Sequence, residues 1–277
     1  MITANTRIAC VIGRPVRHSL SPAIHNAAFA ASSVDAVYLA LDIEESALAV
    51  TVEALRGIGF LGASVTMPYK QAALSICDEV GESAGLLGAL NTLIPLDNGR
   101  MRGESTDGAG CVGALRTAGR DPRGAHCIVV GAGATARACV VGLAQAGATS
   151  IGVVNRTRER AASTAGLAPF VARVAEANEI PRAEIIVHTT PAGMGDSTEA
   201  AFDYSLVGPH HVVLDAVYQP LETHLLRAAR DGGATCVDGL WMLVHQAVEQ
   251  QRLWTGVVPD PQAMRDAAEH ELARRRR

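Results

Sequence analysis

The chain has 277 residues, enough for one large or two ordinary domains, with 48% hydrophobic and 19% charged residues and a net charge of −4. That balance is the balance of a soluble globular protein and argues against a nucleic-acid-binding surface. No charged-then-apolar leader precedes Ile8 and no apolar run approaches about 18 residues, so the expectation is a cytoplasmic chain with no membrane partner.

In chain order, Arg7 to Ile12 reads as a strand, and Ser21-Pro22 as an N-cap with proline at the first helical position, opening a helix to Ala31. Val37 to Leu41 predicts a strand, Glu45 to Leu55 a helix, Leu61 to Val65 a strand and Lys70 to Cys77 a helix. Asn91 to Pro95 and Met101 to Gly103 predict a strand pair joined through Asp97-Asn98-Gly99. A helix from Asp107 to Thr117 leads to the turn-rich stretch Gly119 to Gly124. Beyond it come strand Cys127 to Val130, helix Thr135 to Ala146, strand Ser150 to Asn155, strands Glu184 to His188 and Val212 to Asp215, and helices Leu240 to Trp254 and Pro261 to Arg274. Strands alternating with helices predict an α/β fold with mostly parallel sheets.

Gly131-Ala132-Gly133-Ala134-Thr135 lies between a strand and a helix, where glycines let backbone approach a pyrophosphate and the helix start favours its charge. The next strand ends in Asn155 and Arg156, with Thr157 and Arg160 behind, where a site for the unphosphorylated dinucleotide usually carries a carboxylate. A carboxylate would repel a ribose 2′-phosphate, whereas guanidinium groups bind it by charge-assisted hydrogen bonds of about 1.5–3 kcal/mol each. The expected cofactor is therefore NADP.

In the first half, Ser19 and Ser21 follow the first strand beside a helix start, a suitable receptor for a small carboxylate, unless Ser21 only caps its helix. Lys70 follows the third strand, and Asp107 stands at another strand-to-helix junction; facing one cleft they would form an acid-base pair. The terminal helices packing back onto the first domain would create that cleft, with hinges near Gly108 and Gly239. The six cysteines read as reduced core residues, His210-His211 as an exposed loop, Trp241 and Trp254 as packing anchors, and Arg274 to Arg277 as a solvated tail. His18 and His25 lack partners at ligand spacing, so no metal is expected.

Along nearly its whole length the chain resembles shikimate dehydrogenase. The matching stretches are residues 18–22 (HSLSP), 65–70 (VTMPYK), 88–92 (GALNT), 106–108 (TDG), the turn at Gly131, 155–157 (NRT), 190–194 (TPAGM), Asp215 through 218–220 (YQP), and 239–246 (GLWMLVHQ). The resemblance implies a substrate-binding domain at residues 1–107 and 240–277, a Rossmann NADP-binding domain at 108–239, and reversible NADP-dependent reduction of 3-dehydroshikimate to shikimate, toward chorismate and the aromatic amino acids. It implies that Ser19 and Ser21 hold the substrate carboxylate, that Thr66, Asn91, Tyr218 and Gln246 contact the ring, and that Lys70 and Asp107 are the catalytic pair. Residues 131–135 would cradle pyrophosphate, Asn155 to Thr157 and Arg160 the adenosine end, and Thr190, Met194, Val217, Gly239 and Met242 the nicotinamide end. The enzyme would act as a monomer or homodimer.

Three positions depart from the family pattern: Ser64 and Ser105 stand where Asn is usual, and His188-Thr189 where Asn-Ala is usual. A shorter hydroxyl leaves room that an amide would fill, which admits quinate or aminoshikimate as substrate, unless both serines satisfy backbone groups. Two other classes stay open: a non-catalytic NADP-binding regulator, against which Lys70 and Asp107 together speak, and a reductase of the glutamyl-tRNA type, for which the acidic chain offers no RNA surface.

Overall fold

The computed structural model describes residues 2–97 and 99–275, so Asn98 of the expected turn and Arg276 and Arg277 of the basic run lie outside it. The chain forms two compact units, one of residues 1–106 with 247–277, the other of residues 107–246.

The first unit is built on a six-stranded sheet. Its elements are β1 (Arg7–Gly13), α1 (Ser21–Ala31), β2 (Ala36–Asp42), α2 (Leu48–Gly57), β3 (Gly62–Val65), β4 (Glu79–Val80), α3 (Glu82–Leu87), β5 (Thr92–Pro95) and β6 (Met101–Glu104). The strand order is β2-β1-β3-β5-β6-β4. β1 pairs in parallel with β2 and β3, and β5 turns antiparallel to β3, placing Thr92 opposite Ser64. Asn91 therefore sits at the same sheet end as Thr66, and Val65 N–H donates to the Asn91 carbonyl at 2.8 Å. Ile12, Leu90, Leu93, Val65 and Phe60 fill the core on one face.

Four local expectations are corrected. Ser21 is the first residue of α1, not its cap; the cap position is Leu20, and Ser19 Oγ accepts the Ser21 N–H at 3.1 Å. The helix expected from Lys70 is a short 3₁₀ segment, Ala72–Ile76, and the one expected from Glu45 starts as 3₁₀ before α2. The basic run is no wholly solvated tail: Arg275 donates to the carbonyls of His18 (2.5 Å) and Ser19 (3.0 Å).

The second unit contains α4 (Asp107–Thr117), β7 (His126–Val130), α5 (Ala134–Gln145), β8 (Ser150–Val154), α6 (Arg158–Ala165), β9 (Ala172–Val174), β10 (Ile185–His188), β11 (Val212–Asp215), α7 (His224–Asp231) and β12 (Thr235–Val237). Two helices close the chain, α8 (Gly239–Thr255), whose residues are shared between the units, and α9 (Pro261–Arg275) in the first unit. The sheet, β9-β8-β7-β10-β11-β12, is parallel throughout. Numbered from its own first strand, this is the 3-2-1-4-5-6 order of dinucleotide-binding sheets, which reverses direction between β7 and β10. The strands are near-continuous apolar runs because helices cover both faces. His211 contradicts the exposed-loop expectation: it is buried, its Nδ1 accepts Gly208 N–H at 2.8 Å and its Nε2 donates to Ile180 O at 3.0 Å, which ties two loops together.

Gly108 and Gly239, expected as hinges, are positions of close backbone approach. A Cβ on Gly239 would lie 2.3 Å from the Ala216 carbonyl, and α4 meets α5 where Gly108 faces Gly142. Gly142→Ala would set its methyl 2.6 Å from the Gly108 carbonyl oxygen. Alanine gains about 1 kcal/mol in helix propensity, but backbone cannot yield locally, and overpacking costs about 1–3 kcal/mol. The expected outcome is a net loss in stability, read as a lower urea midpoint; an unchanged or higher midpoint would show that the helices separate freely.

His25 is fully buried, stacked on Tyr38 with ring centroids 4.2 Å apart, and burial pushes its pKa from 6.5 down to about 3. Its Nε2 has no partner among the described residues, so the ring is held neutral. A depressed histidine leaves stability intact above the unfolded pKa and removes it as pH falls from about 6.5 toward 3. Between pH 7 and pH 4 the first unit should lose on the order of 3 kcal/mol through this group. His25→Phe should flatten that slope in urea titrations; an unchanged slope would assign the acid sensitivity elsewhere.

Candidate active site

In the first unit, five of the expected residues gather where β1, β3 and β5 meet at one sheet end. Ser19 is half-buried and Ser21 buried, both in the turn into α1. Thr66 immediately follows β3; its N–H donates to the Ile12 carbonyl at 2.9 Å, and a Cβ on Gly13 would lie 2.3 Å from Thr66 Cγ2. That close approach explains glycine at the end of β1. Lys70 is half-buried, and its backbone is pinned from two sides. Tyr69 OH donates to the Ile43 carbonyl at 2.6 Å, and Leu90 N–H donates to the Lys70 carbonyl at 2.9 Å. Asn91 is buried, with Oδ1 accepting Thr92 Oγ1–H (2.7 Å) and Thr106 N–H (2.9 Å). Three hydroxyls, an ammonium and an oriented carboxamide make a polar surface suited to a small hydroxylated carboxylate.

The remaining expected residues belong to the second unit. Asp107 is half-buried in the first turn of α4, while Tyr218 and Gln246 are half-buried. Gly131 takes φ +121°, and a Cβ there would lie 2.4 Å from Thr189 Oγ1, so a side chain is excluded. Gly133 is the extended cap of α5, no side chain caps that helix, and a Cβ at Gly133 would meet nothing within 4 Å. Ala132, Ala134 and Thr135 complete a helix start whose N–H groups suit a pyrophosphate. At the end of β8, Asn155 Nδ2 donates to the Thr157 carbonyl at 2.9 Å, while Arg156, Thr157 and Arg160 are exposed around the start of α6. Arg158, beside them, is drawn into an ion pair with Glu176 at 3.1 Å.

At the neighbouring strand ends stand Thr190, Val217 and Gly239, with Met242 buried one turn into α8. Met194 is 56% exposed. Thr190 is held by a network that sequence reading noted only as a departure. His188 and Asp215 are both fully buried, with His188 Nδ1 2.8 Å from Asp215 Oδ1 and Nε2 2.5 Å from Thr190 Oγ1. The carboxylate only accepts, so it assigns the Nδ1 proton; Thr190 then donates to Nε2 and accepts Ala192 N–H. Asp215 also accepts from Thr223 Oγ1 (2.6 Å) and Val217 N–H (3.1 Å). The available signal was two polar residues ending adjacent apolar strands.

Ser64 is likewise placed differently from either expectation. Its hydroxyl is buried and bonds two side chains, Tyr38 and Gln250, instead of backbone groups. Ser105 N–H donates to Glu104 Oε1 at 3.0 Å. Among the described residues, no cluster of three or more His, Cys, Asp or Glu is placed to hold a metal, and no helix is long and apolar enough to cross a membrane.

Known proteins resemble the chain over these same segments. Family models for the shikimate dehydrogenase substrate binding domain, for shikimate / quinate 5-dehydrogenase and for the shikimate 5′-dehydrogenase C-terminal domain match residues 11–93, 114–193 and 239–269. A shikimate dehydrogenase (NADP(+)) from Rubrobacter xylanophilus is 40% identical over 278 residues, covering 98% of each chain. Shikimate 5-dehydrogenase from Thermus thermophilus, solved with NADP(H) and shikimate, superposes with a TM-score of 0.87 at 34% identity, covering 95% of this chain and 99% of that one. A ligand-free 5-ketofructose reductase from a Gluconobacter strain reaches a TM-score of 0.90 at 29% identity, covering 97% and 100%.

Proposed function

The chain belongs to the shikimate dehydrogenase family, and from that premise we propose that it catalyses the reversible, NADP-dependent reduction of 3-dehydroshikimate to shikimate. The observation that carries the reading is the assembly of Ser19, Ser21, Thr66, Lys70 and Asn91 at one sheet end. Ser19 and Ser21 receive the substrate carboxylate, while Thr66, Asn91, Tyr218 and Gln246 take the ring and its hydroxyls. The first unit thus supplies Ser19, Ser21, Thr66, Lys70 and Asn91 to the substrate, while the second supplies Tyr218 and Gln246 and binds the nucleotide.

The open helix start at residues 131–135 fits a pyrophosphate, and Asn155, Arg156, Thr157 and Arg160 suit the phosphorylated adenosine end. Thr190, Met194, Val217, Gly239 and Met242 hold the nicotinamide end. When bound, the nicotinamide supplies hydride to the carbonyl carbon. Lys70 and Asp107 serve the substrate oxygen as the acid-base pair: as charge develops on it, the Lys70 ammonium stabilises the alkoxide, Asp107 orients a neighbouring substrate hydroxyl, and the pair delivers the proton. In the reverse direction the same pair takes the hydroxyl proton. The enzyme acts in the cytoplasm as a monomer or homodimer, without a nucleic-acid or membrane partner.

Initial rates with shikimate, quinate and aminoshikimate, each with NADP and NAD, test this reading through absorbance at 340 nm. The highest kcat/KM is expected with shikimate and NADP. A higher value with quinate or aminoshikimate would reassign the substrate, and no turnover with any would favour a nucleotide-binding regulator.

A further inference from the structure

One buried hydrogen-bonded relay in the first unit is not used by the chemistry above. Tyr38 OH donates to Ser64 Oγ at 2.6 Å, and Ser64 Oγ–H donates to Gln250 Oε1 at 2.9 Å. Gln250 Nε2 donates to Thr92 Oγ1 at 3.1 Å and to the Asn91 carbonyl at 3.2 Å. Thr92 Oγ1–H then donates to Asn91 Oδ1 at 2.7 Å. Every hydroxyl proton is used once and in one direction, so the relay has a single consistent sense. Gln250 and Tyr38 are each 1% exposed and Ser64 is 7% exposed, so no bulk water substitutes for a missing partner.

At position 64, where the family resemblance implies an asparagine, this chain carries the shorter serine. A carboxamide comes from another element: Gln250, on α8, bonds Ser64, the Asn91 carbonyl and Thr92. We propose that Gln250, acting with Ser64, is the positioning residue that sets the Asn91 carboxamide for substrate, in place of a carboxamide at position 64. Oδ1 accepts from Thr92 Oγ1–H and Thr106 N–H, and Nδ2 donates to Thr106 Oγ1 at 3.1 Å, so the amide plane of Asn91 is fixed by Thr92 on one side and Thr106 on the other. Loss of the Gln250 amide removes the donors that fix Thr92 Oγ1 and the Asn91 carbonyl, so the Asn91 amide keeps its Thr106 contacts and loses its second brace.

The inference rests on the shikimate reading, and the two fail separately: wild-type enzyme that does not oxidise shikimate overturns the function before any variant is made. With active wild type, Gln250→Leu is expected to raise the shikimate KM about tenfold, as the loss of one orienting hydrogen bond allows, while the NADP KM stays unchanged. The paired variant Ser64→Asn/Gln250→Ala, which returns an amide to position 64, is expected to recover most of that loss. A folded Gln250→Leu enzyme with the wild-type shikimate KM overturns the proposal, as does a paired variant no better than Gln250→Ala alone. Should Gln250→Leu not fold, Gln250→Glu keeps the side-chain shape, loses both donated hydrogens, and is expected to show the same rise in KM.

Discussion

Lys70→Ala is expected to fold normally and to lose about 10²–10⁴-fold in turnover, the range spanned by general acid-base catalysis. Folding should survive because the contacts that place residue 70 are made by its neighbours and its backbone. Tyr69 is anchored on Ile43, the Lys70 carbonyl accepts Leu90 N–H, and alanine keeps that acceptor. The ammonium alone is lost, leaving the developing alkoxide with neither a stabilising cation nor a proton. Lys70→Arg separates the two roles: arginine keeps the charge but cannot cycle a proton near neutral pH, so it should recover only a small part of the rate. Near-normal turnover in the alanine variant, measured on protein with wild-type circular dichroism, would remove Lys70 from the chemistry.

Arg156→Asp is expected to move nucleotide preference toward NAD. One charge-assisted bond of about 1.5–3 kcal/mol is lost, which alone is roughly one to two decades in the ratio of kcat/KM with NADP to that with NAD. The new carboxylate adds repulsion against the 2′-phosphate and supplies an acceptor for the ribose hydroxyls, so the numerator falls, the denominator rises and both changes lower the ratio. Arg156 and Arg160 are exposed, so added salt should narrow the wild-type preference. Unchanged selectivity in Arg156→Asp would assign the phosphate to Arg160 or to backbone groups at the start of α6.

The elements most legible in the sequence were those with strong local signals. The Gly131 turn, strand β7 and helix α5 came from glycine spacing beside apolar periodicity, and α4 began at Asp107 as expected. Less legible were short elements whose form depends on what covers them. The segment after Lys70 has helical spacing but closes as 3₁₀, held by Leu90 and Tyr69. Strand β9 and helix α7, three and eight residues long, are too short for periodicity to announce them. His211 looked like a loop residue because its partners, the carbonyl of Ile180 and the N–H of Gly208, belong to backbone that no side-chain pattern reveals.

Sequence alone determined the reaction class of this chain: the glycine turn and basic strand end point to NADP, and the ordered motifs with Lys70 and Asp107 point to a hydroxyl-carbonyl exchange. Such features are local, because a turn, a helix start or a charge acts over a few residues. Tertiary structure alone decided which buried polar groups satisfy one another. Ser64 lies 186 positions from Gln250 and His188 27 from Asp215, and neither pair has a spacing that signals contact. Such pairs form because burial makes an unsatisfied donor or acceptor costly, and only the folded sheet and helices determine which partner is within reach.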